Sequence, residues 1–107
     1  MSDVFDKIKA LVVAGSVRIS DHGYEELVAD GLTAREIVEG VEAAEVVEEY
    51  PDYPKGPCVL LLQRTPDGRA VHSVWGIPAG HSGPAVLVTA YLPDLEQWEM
   101  GFKRRRR

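Results

Sequence analysis

Three histidines, His22, His72 and His81, are the side chains best suited to move protons near neutral pH. What surrounds each of them decides whether it can do chemistry. Thr65-Pro66-Asp67-Gly68-Arg69 lies between two apolar runs and reads as a hairpin turn. Proline at its second position suits a type I turn, and Gly68 can take the left-handed conformation of a bulge. In a three-residue loop of Pro66, Asp67 and Gly68, Thr65 opposes Arg69, Arg64 opposes Ala70 and Leu62 opposes His72. Side chains alternate along a strand, so Leu60, Leu62, Arg64, Ala70, His72 and Val74 share one side. Val59, Leu61, Gln63, Val71, Ser73 and Trp75 share the other.

Arg64 and His72 thereby become diagonal neighbours at the hairpin end of an apolar face. A permanent cation beside a group that titrates near neutrality can bind an anion and transfer a proton. The plainer alternative is an edge arginine with its tip in solvent and a histidine hydrogen-bonded to backbone. A two-residue Asp67-Gly68 loop would separate the pair.

The other candidates stand alone. His22 falls at the start of the second helix, beside Asp21 and one turn before Glu26, a position typical of a cap or a surface group. Tyr91, in Thr89-Ala90-Tyr91, is expected to share a face with Leu87 and Thr89 as a rim residue. No pair of histidines has ligand-like spacing, so no zinc or other cofactor is expected. Cys58 leads into a core strand and reads as a small apolar residue. Gly80-His81-Ser82-Gly83 is a solvated turn without the spacing of a phosphate-binding motif.

The elements that position these residues follow from periodicity. Val4, Phe5, Ile8, Leu11 and Val12 recur at helical spacing, and Gly15 supplies a stop, which predicts a helix over 3–14. Val17-Arg18-Ile19 is a short extended piece. Ser20 or Asp21 can cap a second helix with Tyr24, Leu27 and Val28 on its apolar side. Thr33 and Glu36 make a capping box, with Leu32 and Ile37 as a hydrophobic staple, for a third helix with Ile37, Val38 and Val41 inward. Strands are expected over 45–50, 58–65, 70–77 and 85–92, and Pro93-Asp94 opens a short helical turn containing Trp98. The expected fold is therefore α+β, with three N-terminal helices packed on a four-stranded, mostly antiparallel β-meander.

The chain has 107 residues, 45% of them hydrophobic and 27% charged. That composition suits one globular domain over 1–102 and argues against a disordered chain. No apolar run approaches the roughly 20 residues that span a membrane. The N-terminus does not read as a secretory signal, and one cysteine needs no oxidising compartment, so a cytoplasmic location is expected. Residues 1–53 carry 13 acids against 4 bases, while 54–107 carry 4 acids against 8 bases. Five of those bases form the tail 103–107, expected to be solvated and disordered. An acidic body repels a nucleic-acid backbone unless its basic groups gather on one face.

Several segments together resemble a known family. They are Ile19-Ser20-Asp21-His22-Gly23 with Gly31-Leu32-Thr33 after it, then Glu48-Glu49-Tyr50-Pro51-Asp52, Val71-His72-Ser73-Val74, and Val88-Thr89-Ala90-Tyr91-Leu92-Pro93-Asp94 with Trp98 beyond. Their order and spacing over about residues 17–99 are similar to the domain-of-unknown-function family numbered 4258, found mostly in small bacterial proteins. Its layout resembles the compact fold of RelE-type ribonuclease toxins. By that looser analogy His22, His72 and Tyr91 would be catalytic and Arg64 would bind phosphate, in a metal-free transesterification of RNA. Gly23 stands where the family usually has alanine, and the basic residue often found near Asp30 is missing.

Two functions are expected in competition. An RNA-cleaving, toxin-like enzyme needs His22, Arg64 and His72 to converge in one concave, positively charged site. A non-catalytic domain that docks a cognate protein partner instead predicts scattered histidines and an apolar surface patch.

Overall fold

The computed structural model describes residues 3–106. Three helices, α1 (Asp3–Val13), α2 (Asp21–Ala29) and α3 (Ala34–Glu39), lie among and before five strands. The strands are β1 (Val17–Ile19), β2 (Glu45–Tyr50), β3 (Cys58–Arg64), β4 (Ala70–Gly76) and β5 (Ala85–Tyr91). Their order across the sheet is β1-β5-β4-β3-β2.

This corrects the expected four-stranded meander. The sheet has five strands and is mixed, because Val17-Arg18-Ile19 pairs in parallel with Ala85-Val86-Leu87. A strand of three residues that pairs with a segment far along the chain leaves no local signal. The helices are likewise not a separate N-terminal block, since β1 lies between α1 and α2.

The hairpin register matches the turn chemistry. Thr65 N–H donates to the Arg69 carbonyl at 2.9 Å, and Leu62 pairs with His72 and Arg64 with Ala70. One face of the sheet is therefore Val59, Leu61, Val71 and Trp75, all fully buried against Ile8, Leu27 and Ile37 from the helices and Val41 just after α3. Gln63 lies on that face too. Its amide donates to the Ile37 carbonyl at 2.9 Å and accepts from the Ser73 hydroxyl at 2.6 Å, tying α3 to the sheet.

Caps place the helices. Ser20 Oγ accepts from Gly23 N–H and donates to the Val88 carbonyl, so it both starts α2 and ties it to β5. Asp30, at the other end of α2, accepts from Leu92 N–H at 2.9 Å. The Thr33–Glu36 capping box of α3 is present in both directions. Of the expected apolar side of α2, Leu27 is buried, whereas Tyr24 and Val28 are exposed.

Alternation is broken in β2, where the register shifts between Val46 and Glu48, and again in β5. Val74 pairs with Thr89 and Trp75 with Leu87, so Val88 is an extra residue. This bulge turns Leu87 into the helical core and Thr89 and Tyr91 to the opposite face, so Tyr91 does not share a face with Leu87.

Candidate functional site

The helices cover one face of the sheet, and the chemistry collects on the other. His72, in the middle of β4, has Leu62 on one side and Tyr91 on the other. Residues after β5 fold back over it. Asp94 accepts from Trp98 N–H at 2.9 Å in a helical turn, and Trp98 then bridges to Arg105. The rings of Trp98, Tyr91 and Phe102 stand edge-on to the imidazole, with centroids 4.4, 5.6 and 6.5 Å away.

His72 is wholly buried beneath this strap. Its Nε2 lies 2.7 Å from the Phe102 carbonyl. A carbonyl can only accept, so Nε2 carries the proton and Nδ1 is bare. Nδ1 is buried without a hydrogen-bond partner. Burial pushes the imidazole below its ordinary pKa, and the Phe102 carbonyl opposes that push. Burial thus favours the neutral ring.

The strap is clamped at Glu48. Arg105 donates to both oxygens of that carboxylate, at 2.8 and 3.0 Å, and stacks over Trp98 at 4.6 Å. Tyr50 donates its hydroxyl to the same carboxylate, and Lys103 pairs with Glu45. Arg105 holds the Glu48 carboxyl below the usual range, and burial raises the Tyr91 hydroxyl. Of the tail expected to be solvated, Lys103 to Arg106 are exposed, with Lys103 and Arg105 reaching back to Glu45 and Glu48, and Arg107 lies outside the described residues.

The four residues singled out from sequence do not all meet. His72 and Tyr91 do, as a cross-strand pair. Arg64 shares their face by register but is exposed at its end. His22 stands on α2, 68% exposed, with Nε2 3.5 Å from Glu26. Sequence reasoning missed Glu48, Trp98, Phe102 and Arg105. The signal present was two aromatic residues beyond the last strand, which need apolar surface to cover.

The rest of this face is an open groove of about 540 Å³. Its floor is one row of residues that crosses every strand: Tyr50 beside Cys58, Cys58 beside Gly76, Gly76 beside Val86, and Val86 beside Arg18. Gly76 and Cys58 leave the middle shallow, and Val74, Ile77 and Val88 wall it. Tyr53 and Lys55, from the loop after β2, complete one bank. No carboxylate of the described residues lines the groove. Neither Arg18 nor Lys55 has an ion-pair partner among the described residues. The Cys58 thiol donates to the Gly56 carbonyl at 3.4 Å, and burial raises its pKa, so it is a quiet thiol rather than a nucleophile.

Among the described residues, no group of three or more His, Cys, Asp or Glu side chains is arranged to hold a metal ion. No helix among them is long and apolar enough to cross a membrane.

Among curated proteins and solved structures, none matches the sequence significantly. A family described as "Domain of unknown function (DUF4258)" does match, over residues 19–92, which takes in the sheet from the end of β1 to the end of β5 and leaves the strap outside. The chain that builds this buried histidine and open groove belongs to the DUF4258 family.

Proposed function

We propose that the protein is a non-catalytic docking domain that seats an anionic partner on the open face of its sheet. The groove supports this most: Arg18 and Lys55, without an ion-pair partner among the described residues, flank an apolar floor that no carboxylate of those residues lines. Many of the acids of the first half of the chain lie instead on the helices, among them Asp3, Asp6, Asp21, Glu25, Glu26, Glu36 and Glu39. On the open face itself Glu45 and Glu48 are taken by Lys103 and Arg105, so an anion at the groove meets Arg18 and Lys55 despite the net charge of −5.

The ribonuclease-like reading has less support. Transesterification of RNA needs an acid, a base and a cation around one phosphate. His72 has no exposed surface and no free proton donor, and His22 pairs with Glu26 on α2. The histidines are scattered and an apolar patch is present, the pattern of a docking domain.

The test pairs a polyanion with an RNA substrate. Heparin should bind the protein, and the double substitution Arg18→Gln with Lys55→Gln should weaken binding about tenfold or more, as loss of two phosphate-type contacts does at moderate salt. RNA should survive incubation. Binding indifferent to the double substitution would overturn the reading, as would RNA cleavage lost on His72→Ala or His22→Ala.

A further inference from the structure

The same groove carries more than a preference for charge. The class of ligand it fits deepens the docking reading and rests on it. Arg18 lies on β1 and Lys55 beside β2, at opposite edges of the sheet. The floor row from Tyr50 to Arg18 crosses four strand spacings, about 19 Å at roughly 4.8 Å each. A ligand held by both cations therefore lies across the strands, not along them. That excludes a β-strand added to an edge as the binding mode.

Between the cations the floor is low and apolar, and two aromatic rings stand beside Lys55 at one end. Tyr50 is 40% and Tyr53 51% exposed, large rings left in water at the groove's bank. Gly76 contributes no side chain, and a Cβ there would meet Cys58 Sγ at 3.2 Å. Val86 forms the remaining floor, and Val74 stands beside it. Such a surface accepts flat, apolar-faced groups, while its two ends accept anions.

We infer that the groove binds a short single-stranded nucleic acid laid across the sheet, with Arg18 and Lys55 on its phosphates and Tyr53 stacked on a base. The span suits the two or three bases that a β-sheet face stacks in single-strand recognition. An acidic peptide would satisfy the cations but leave the exposed rings and the flat floor without use. A duplex would present only phosphates to a surface whose middle is apolar. Cations that track the backbone and rings that stack bases are the two components of sequence-tolerant single-strand binding.

The experiment uses the full chain with fluorescent oligouridine, oligothymidine and polyglutamate of matched length. Both oligonucleotides should bind, and a preference for oligouridine would point to RNA as the source of the strand. The logarithm of affinity should fall with the logarithm of salt at a slope of about −1.4, two contacts at about −0.7 each. Arg18→Gln or Lys55→Gln should each flatten that slope by about 0.7. Tyr53→Ala should weaken binding about tenfold without changing the slope, because stacking is not ionic. Bound oligonucleotide should slow alkylation of Cys58, which lines the floor, and unchanged alkylation of the unliganded variants shows that they are folded.

Polyglutamate that binds at Arg18 and Lys55 while the oligonucleotides do not would overturn this inference and leave the docking reading standing. Binding of every probe unchanged by the Arg18 and Lys55 substitutions would overturn both.

Discussion

Arg105 closes a two-pronged hydrogen bond on Glu48 across 57 residues of chain, and the same carboxylate takes the hydroxyl of Tyr50. One side chain therefore joins the two halves of the open face: the strap over His72 on one side and the groove on the other. Because Arg105 is largely exposed, the pair is screened and its contribution to global stability is small. Its effect is local.

Arg105→Gln is expected to release the strap rather than unfold the domain. Amide hydrogen exchange at Glu99 and Arg106, whose N–H groups bond across the strap, should speed up markedly, with global stability down by about 0.5 kcal/mol. Added salt should mimic the substitution in the native protein. Unchanged exchange at both amides would show that the pair does not hold the strap.

Stability should fall on mild acidification because of His72. Burial lowers its folded-state pKa, while the unfolded chain titrates near about 6.5. The unfolded state thus takes up the proton first as pH drops. The contribution is complete above that value, declines below it, and stops declining below the depressed folded value. Protonation would also bury an N–H at Nδ1 without an acceptor. Urea unfolding at pH 7.5 and at pH 5.5, roughly a unit either side of the unfolded value, should show the decline, and His72→Gln should remove most of it. Carboxylates such as Glu48 act only at lower pH, so they do not imitate this window.

The register around His72 was legible in five residues. Thr65-Pro66-Asp67-Gly68-Arg69 sets the loop length, and loop length alone puts Leu62 opposite His72 and Arg64 opposite Ala70. The capping box of α3 was equally local, because Thr33 and Glu36 satisfy each other's backbone. What escaped was non-local. β1 is a strand only because Ala85-Val86-Leu87 offers it an edge, and the Val88 bulge appears only once β4 and β5 are paired. The strap depends on apolar surface around His72 that no local pattern reveals. The groove is least legible of all, since its floor draws one residue from each of five strands.

Gly23 sits where α2 packs against β5, and the packing there leaves no room for a side chain. A Cβ at Gly23 would lie 2.8 Å from the carbonyl oxygens of both Leu87 and Val88 and 2.9 Å from Ser20 Oγ. All three belong to the seam that fixes α2 on β5. Gly23→Ala must push the helix outward, at a cost of about 1–3 kcal/mol by analogy with overpacked cores. A denaturant melt measures it directly. A neutral or stabilising result would mean that α2 can move away from β5 freely.

The groove's role is tested most directly by mapping amide chemical shifts while the labelled protein is titrated with oligouridine. Arg18, Lys55, Gly76, Val86 and their neighbours should move together and saturate together, while His22 and the Arg64 end of the hairpin stay still. Shifts centred on Arg64, His72 and Tyr91 with the groove silent would contradict single-strand docking and return the buried histidine to the centre of the chemistry.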